Sequence, residues 1–362
     1  MIKIFRNTKI YIAAPSAFAT GGPELLHQLA YHLRKDLGIE AYIYYYPDNI
    51  PNPVHPAFKI YSIPYVKNIE DNESNILIVP EIISGINLLD SYSNIRKIIW
   101  WLSVDNFYLS IFLNSRKHYI FKKLINKASN IILKRKIFDI NELILQNIDN
   151  IKLTNKIFQI VENINLNLVQ SHYALNYINI KYAITQNKIA YLSDYLNQEF
   201  LKIQTELSKK ENIVVYNPQK GISFTKKIIL NANNIKFIPI INMSRENVIK
   251  TLQRAKVYID FGNHPGKDRM PREAAILGCC VITGKRGSAA FYEDVPIPDE
   301  YKFDDKEENI PKIIEKIKDC FANFEERHKD FDYYREVIKN EPQKFVEDLK
   351  KIFLKVDKDN QL

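Results

Sequence analysis

The chain has 362 residues, 46% hydrophobic and 26% charged, with a formal net charge of +9. That length exceeds what one hydrophobic core normally serves, so two domains are expected. Ten glycines and sixteen prolines are too few for a linker-rich or disordered chain, and no apolar run of about 18 residues is free of charge, which argues against a membrane-spanning helix.

The opening Met1-Ile2-Lys3-Ile4-Phe5-Arg6 meets charge quickly, so no secretory leader is expected. Lys9 to Ala14 is a short β-favouring run. The turn Thr20-Gly21-Gly22-Pro23 follows, and Leu25, Leu26, Leu29, Ala30, Leu33 and Leu37 then recur at helical spacing. Pro23 suits a helix's first turn and Gly38 a helix stop, after which Ala41–Tyr46 reads as the next strand. Further strands are expected at Ile76–Val79, Lys97–Leu102, Leu168–Gln170 and Ile189–Leu192. The helix-compatible stretches between them point to a parallel sheet with crossover helices.

Positive charge admits an anionic ligand, a membrane surface or nucleic acid. It gathers between Arg116 and Lys136, where eight Lys and Arg residues alternate with Tyr119, Ile120, Phe121, Leu124 and Ile125. Such a segment suits an anionic membrane surface at the inner face of the cell membrane, or is a solvated helix face over the core. No nucleic-acid motif accompanies it, and no nucleic-acid partner is expected.

A polar stretch, Thr205 to Glu211, precedes a second αβ series. Strands are expected at Ile213–Tyr216, Phe237–Ile240, Val257–Phe261 and Cys280–Thr283, with helices at Lys226–Leu230, Val248–Ala255 and Glu273–Leu277. From Asn309 onward the pattern is helical, ending in a helix near Pro342–Val356. Cys279, Cys280 and Cys320 show no metal-ligand spacing, and the adjacent pair is poorly placed to bridge; a reducing, cytoplasmic setting is expected.

Ligands of open α/β sheets bind at the carboxyl ends of the strands, so the residues just after each strand carry the chemistry. The densest segment runs from Asp260 to Thr283. Its loop holds His264, Pro265, Lys267 and Asp268, and Lys267, Arg269 and Arg272 gather at the start of a helix, a setting suited to a phosphate or pyrophosphate. Glu273, near that helix start, suits the helix dipole and can accept from ribose hydroxyls. Asn217-Pro218-Gln219-Lys220-Gly221 ends the first strand of the second half, either presenting Lys220 to a diphosphate or forming a plain turn. Gly21-Gly22 lets backbone N–H groups approach a ligand but lacks the spacing of a dinucleotide fold. Ser103-Val104-Asp105-Asn106 ends a buried strand; Asp105 is the candidate general base, or a helix cap. Trp100, Trp101 and Phe107 are core aromatics or sugar-stacking rings. Glu81 and His172 occupy analogous strand ends.

Met270–Gly284, MPREAAILGCCVITG, resembles the donor-binding segment of GT-B glycosyltransferases, and YNPQKG at Tyr216–Gly221 resembles a segment of bacterial surface-polysaccharide transferases. The resemblance implies two Rossmann-like domains facing across a cleft: residues 1–200 on the acceptor side, 205–330 binding the donor, and a tail, 331–362, packing back on the first domain. It implies transfer of a sugar from a nucleotide-sugar to a glycan or lipid-linked acceptor. Retaining members carry two glutamates eight positions apart. Glu273 matches the second, which holds the ribose, while Pro265 stands at the first, so retention and inversion both stay open. The expected site comprises Asp105, Lys267 and Arg269 for catalysis, and Gly21, Gly22, Asn217, Lys220, His264, Arg272 and Glu273 for the donor. Asp268 or His264 would take over part of the missing glutamate's role. No metal or other cofactor is expected, since the Asp-x-Asp pairs Asp330/Asp332 and Asp357/Asp359 fall in the helical tail and cations can neutralise the leaving group. A nucleotide-sugar epimerase of the same layout and a non-catalytic glycan- or membrane-surface binding subunit are the alternatives.

Overall fold

Strands buried on both faces read as continuous hydrophobic runs, and Ile76–Pro80, ILIVP, has all five residues buried. The computed structural model describes residues 1–16, 21–47, 50–115, 125 and 153–356. Contacts divide the chain into two compact units, one of Met1–Gln170, Ala174–Leu192 and Val346–Leu362, the other of Ser171–Tyr173 and Ser193–Phe345.

The first unit contains β1 (Ile2–Ile4), β2 (Lys9–Pro15), α1 (Gly21–Lys35), β3 (Glu40–Tyr46), β4 (Tyr65–Val66), β5 (Ile76–Pro80), α2 (Ile83–Leu88), β6 (Arg96–Trp101), α3 (Val104–Ser115), α4 (Asn155–Asn163), β7 (Leu166–Val169), most of α5 (His172–Lys181) and β8 (Ile189–Tyr191). Its seven-stranded sheet has the order β4-β3-β2-β5-β6-β7-β8, every pairing parallel. The helical spacing of Leu25, Leu26, Leu29, Ala30 and Leu33 is the buried face of α1, and Gly38, at φ +61°, takes the left-handed conformation that follows the helix. Gly21 and Gly22 differ from expectation: they are the first residues of α1, not part of a loop.

The second unit runs through α6 (Gln198–Leu201), β9 (Glu211–Tyr216), α7 (Ile222–Asn231), β10 (Lys236–Pro239), α8 (Arg245–Arg254), β11 (Ala255–Asp260), α9 (Arg269–Ile276), β12 (Cys280–Gly284), β13 (Lys302–Phe303), α10 (Ile310–Ala322), α11 (Phe324–Lys329) and most of α12 (Asp332–Ile352). Its five strands are parallel in the order β10-β9-β11-β12-β13. Val214, Val257, Tyr258, Ile259, Val281 and Ile282 are fully buried in its core, as are Cys279, Cys280 and Cys320, all free thiols.

The tail departs from the sequence expectation. The helix begins at Asp332 and continues through Pro342, and Phe353–Lys355 forms a short strand, β14, parallel to β1. The residues from Ser193 onward pack with the second unit, and the tail divides between units at Phe345 and Val346. The basic segment, apart from Ile125, and the pair Asp357/Asp359 lie outside the described residues. Among the described residues no helix is long and apolar enough to cross a membrane.

Candidate functional site

In the second sheet the chain moves outward from β9 to β10, then returns to the other side of β9 with β11, β12 and β13. The order therefore reverses between β9 and β11, the kind of point at which open α/β sheets bind ligands beyond the strand ends. The loops leaving these two strands touch through glycine. A Cβ on Gly221 would lie 2.5 Å from the backbone of Phe261 and Gly262, and Gly221 is left-handed at φ +59°. A Cβ on Gly262 would meet Lys220 Cγ at 2.5 Å. Only glycine allows this approach at both positions.

That approach brings Lys220 among acids. Its Nζ bonds Asp268, lies 3.5 Å from Asp260 Oδ2, and donates to the carbonyl of Asn263 at 3.3 Å. Burial works against the ammonium, but the two carboxylates outweigh it and the lysine pKa is raised. Asp260 is held below the usual carboxylate range although it is fully buried, because Lys220 and then His264 overcome the desolvation. Its carboxylate also accepts from Tyr258 Oη at 3.0 Å and Gly262 N at 3.1 Å. His264 is fully buried; burial and then Lys220 lower its pKa. Its Nδ1 lies 3.2 Å from Asp268 Oδ2 and its Nε2 3.6 Å from Asp260 Oδ1.

The loop after β12 clamps this one from the side. Ser288 donates its N–H to His264 O at 2.8 Å and its hydroxyl to Gly266 O at 2.6 Å. Arg286 donates to Phe261 O at 2.7 Å and pairs with Asp305 at 2.7 Å. Burial pushes the Asp305 carboxyl up to about 6, against the pull of Arg286. Arg286 and Asp305 were not singled out from the sequence; the run Lys285-Arg286-Gly287 directly after a buried strand was the available signal.

Other expected phosphate ligands are engaged elsewhere. Arg272 is fully buried: it donates to Glu341 Oε2 at 2.9 Å, to Asp194 Oδ2 at 2.8 Å, and to the carbonyls of Lys267 at 2.8 Å and Asp268 at 3.1 Å. Lys267, also buried, pairs with Glu341 Oε1 at 2.8 Å and reaches Ser193 Oγ at 3.3 Å. Four of the five N–H donors of this fully buried guanidinium are directed at carboxylates and carbonyls, so Arg272 acts as a structural lock within the second unit. Arg269 is the first residue of α9, with Asp268 as its N-cap. Glu273 is the fifth residue of that helix, beyond the first turn, and half-buried. Asn217 Oδ1 accepts from Gln219 N at 3.0 Å, so its side chain shapes the turn that delivers Lys220.

In the first sheet the order reverses between β2 and β5. There Gly22 and Glu81 each meet Leu102, in the loop after β6. Leu102 Cδ1 is 3.7 Å from the position of a Cβ on Gly22, and Leu102 N donates to Glu81 Oε2 at 3.1 Å. Asp105 is buried in the first turn of α3, where Ser103 Oγ accepts from Asn106 N at 3.1 Å. Glu81 is fully buried, and desolvation pushes its carboxyl up to about 8 despite the backbone N–H groups of Leu102 and Ser103. Trp100, Trp101 and Phe107 are fully buried. The indoles donate to Leu192 O at 3.1 Å and Asn167 Oδ1 at 2.9 Å, so the rings are core and none presents a face to a sugar. His172 opens α5.

Asp260, His264 and Asp268 form, among the described residues, the one group of three acid or imidazole donors close enough to share an ion, with donor atoms within 4.8 Å of one another.

No protein-family model matches the sequence, and a search of curated proteins finds no match. Solved structures do match over nearly the whole chain. A glycosyltransferase from Rickettsia africae aligns at TM-score 0.60 and 14% identity, over 96% of this chain and 99% of that one. Anabaena HepE, in complex with UDP-glucose, aligns at 0.58 and 11% over 95% and 99%. Sucrose-phosphate synthase from Thermosynechococcus elongatus aligns at 0.62 and 10% over 96% and 98%. These neighbours are GT-B glycosyltransferases, and this chain has their fold: two Rossmann-like parallel αβ units joined in one polypeptide.

Proposed function

We propose that this protein is a glycosyltransferase that moves a sugar from a nucleotide-sugar donor to a glycan or lipid-linked acceptor in surface polysaccharide synthesis. The observation that carries the reading is the glycine-closed junction of the β9 and β11 loops, which holds Lys220 at the reversal point of the second sheet. HepE, of the same fold, has UDP-glucose bound. The acceptor class rests on the sequence resemblance of Met270–Gly284 and Tyr216–Gly221.

In this reading Lys220, Arg286 and Arg269, the last at the positive end of α9, meet the diphosphate. The acceptor oxygen attacks the anomeric carbon, the bond from that carbon to the phosphate oxygen breaks, and the nucleoside diphosphate leaves with the electron pair. Asp105 takes the acceptor proton if the course inverts; the departing phosphate takes it if the course retains. The anomeric configuration of the product, read by NMR, decides between them. Lys267 acts through Glu341, holding the loop before α9 in place.

A thermal-shift series with UDP, GDP, ADP, CMP and dTDP tests the donor site. A ligand present at 100 times its Kd adds about 2.7 kcal/mol of stability. One nucleotide should raise the melting temperature of the natural protein and raise that of Lys220→Ala much less. If none does so, the reading is wrong. For the basic segment 116–136 the matching reading is peripheral association with anionic lipid. Co-sedimentation with vesicles containing phosphatidylglycerol, but not phosphatidylcholine alone, is the expected result.

A further inference from the structure

The geometry points to a binding site for one divalent first-row metal ion, Mn²⁺ or Zn²⁺, formed by Asp260, His264 and Asp268. It shares Lys220 with the proposed donor site but does not rest on that reading, and it departs from the sequence expectation of a metal-free site.

Three features carry it. One imidazole and two carboxylates supply three donors within 4.8 Å of one another, a set that leaves further coordination positions open. His264 is wholly buried, and neither ring nitrogen makes a hydrogen bond of good geometry, although each faces a carboxylate at 3.2 or 3.6 Å. A buried imidazole whose nitrogens both lack well-formed hydrogen bonds is costly unless something else satisfies one of them. Asp260 is aimed by a second layer, the hydroxyl of Tyr258 and the N–H of Gly262, the kind of support that fixes a metal-binding carboxylate.

The ammonium of Lys220 stands against both carboxylates and is the cation of the site in this structure. A divalent ion and Lys220 compete for the same oxygens. The lysine side chain is 23% exposed, and in this proposal an entering ion displaces it toward solvent. The site is therefore an exchange between a tethered single charge and a free double charge.

Titration of the full chain with Mn²⁺, read by the electron paramagnetic resonance of unbound Mn²⁺, and with Zn²⁺, read by calorimetry, tests this. The expected result for at least one of the two is saturable binding of one ion per chain. Asp268→Asn and His264→Gln should each weaken it 10- to 100-fold, roughly the range for lost ligands and their supports. Lys220→Ala should tighten it several-fold. Asp268→Asn keeps the side-chain shape at a position 19% exposed, and it decides the question if the buried histidine variant fails to fold. Absence of binding to the natural protein overturns the proposal, as does unchanged affinity in Asp268→Asn. Binding confined to Lys220→Ala overturns it too, because Lys220 would then be the permanent cation of the cluster.

Discussion

At the carboxyl edge of the seven-stranded sheet, Glu81 is fully buried and held by neutral backbone donors alone, and its carboxyl rises to about 8. In the second unit, Asp260 at the end of β11 and Asp194, paired with Arg272 of α9, are just as buried, yet both are held below the usual carboxylate range. Desolvation opposes that in each case, and Arg272 for one and Lys220 for the other overcome it. Equal burial thus gives opposite protonation in these three, and a cation folded in beside the acid makes the difference; at Asp305 desolvation outweighs the Arg286 partner and the carboxyl still rises to about 6. The first edge is equipped to exchange a proton near neutral pH, the second to balance formal charge.

The most severe way to break this contrast is to remove the cation at the second edge. Arg272→Met should destabilise the protein by about 3–5 kcal/mol, since Asp194 and Glu341 stay buried without their partner; chemical denaturation measures it. Arg272→Lys should not restore the loss, because an ammonium cannot span both carboxylates as the fork does. Gly221→Ala attacks the same edge through the backbone. Its left-handed φ and the 2.5 Å approach to Phe261 and Gly262 predict a loss of about 1–3 kcal/mol, together with weaker nucleotide binding.

The first edge answers to pH instead. With the Glu81 pKa raised from 4.5 to about 8, the folded state holds a proton that the unfolded state releases, so stability should fall as pH climbs through that window. The slope is at most about 1.4 kcal/mol per pH unit. Glu81→Gln should flatten it in melting curves taken from pH 5 to 8; an identical slope in the variant would show that Glu81 is not its source. The smallest effect is expected at Ser103→Ala, which removes the cap on Asn106 N–H and should cost about 1 kcal/mol by denaturant titration.

Much of this was legible in the chain itself. Apolar runs such as Ile76–Val79 and Val257–Phe261 gave strands within a residue or two of those observed, and the periodicity of Leu25 to Leu33 gave α1. Short edge strands were not legible: Tyr65–Val66, Lys302–Phe303 and Phe353–Lys355 are two or three residues long and carry no period. Charge pairing escaped for another reason. Arg272 meets Glu341 and Asp194 at separations of 69 and 78 residues, which no local pattern encodes, so a helix-start arginine read as a phosphate ligand was a folded-in counter-ion. Lys220 and Gly221 were found because their turn chemistry is local; their proximity to Asp260 and Gly262 is not.

The pairing of β1 with β14 bears on the order of synthesis. Ile2 lies opposite Phe353 and Ile4 opposite Lys355, so β1 leaves the ribosome long before the strand it pairs with. Loop closure over such a span grows only slowly more costly with length, and the delay comes from translation. During elongation Ile2 and Ile4, which end up buried, have no strand to cover them until Phe353–Lys355 emerges, and a chaperone that shields apolar nascent segments would have a substrate there in the interval.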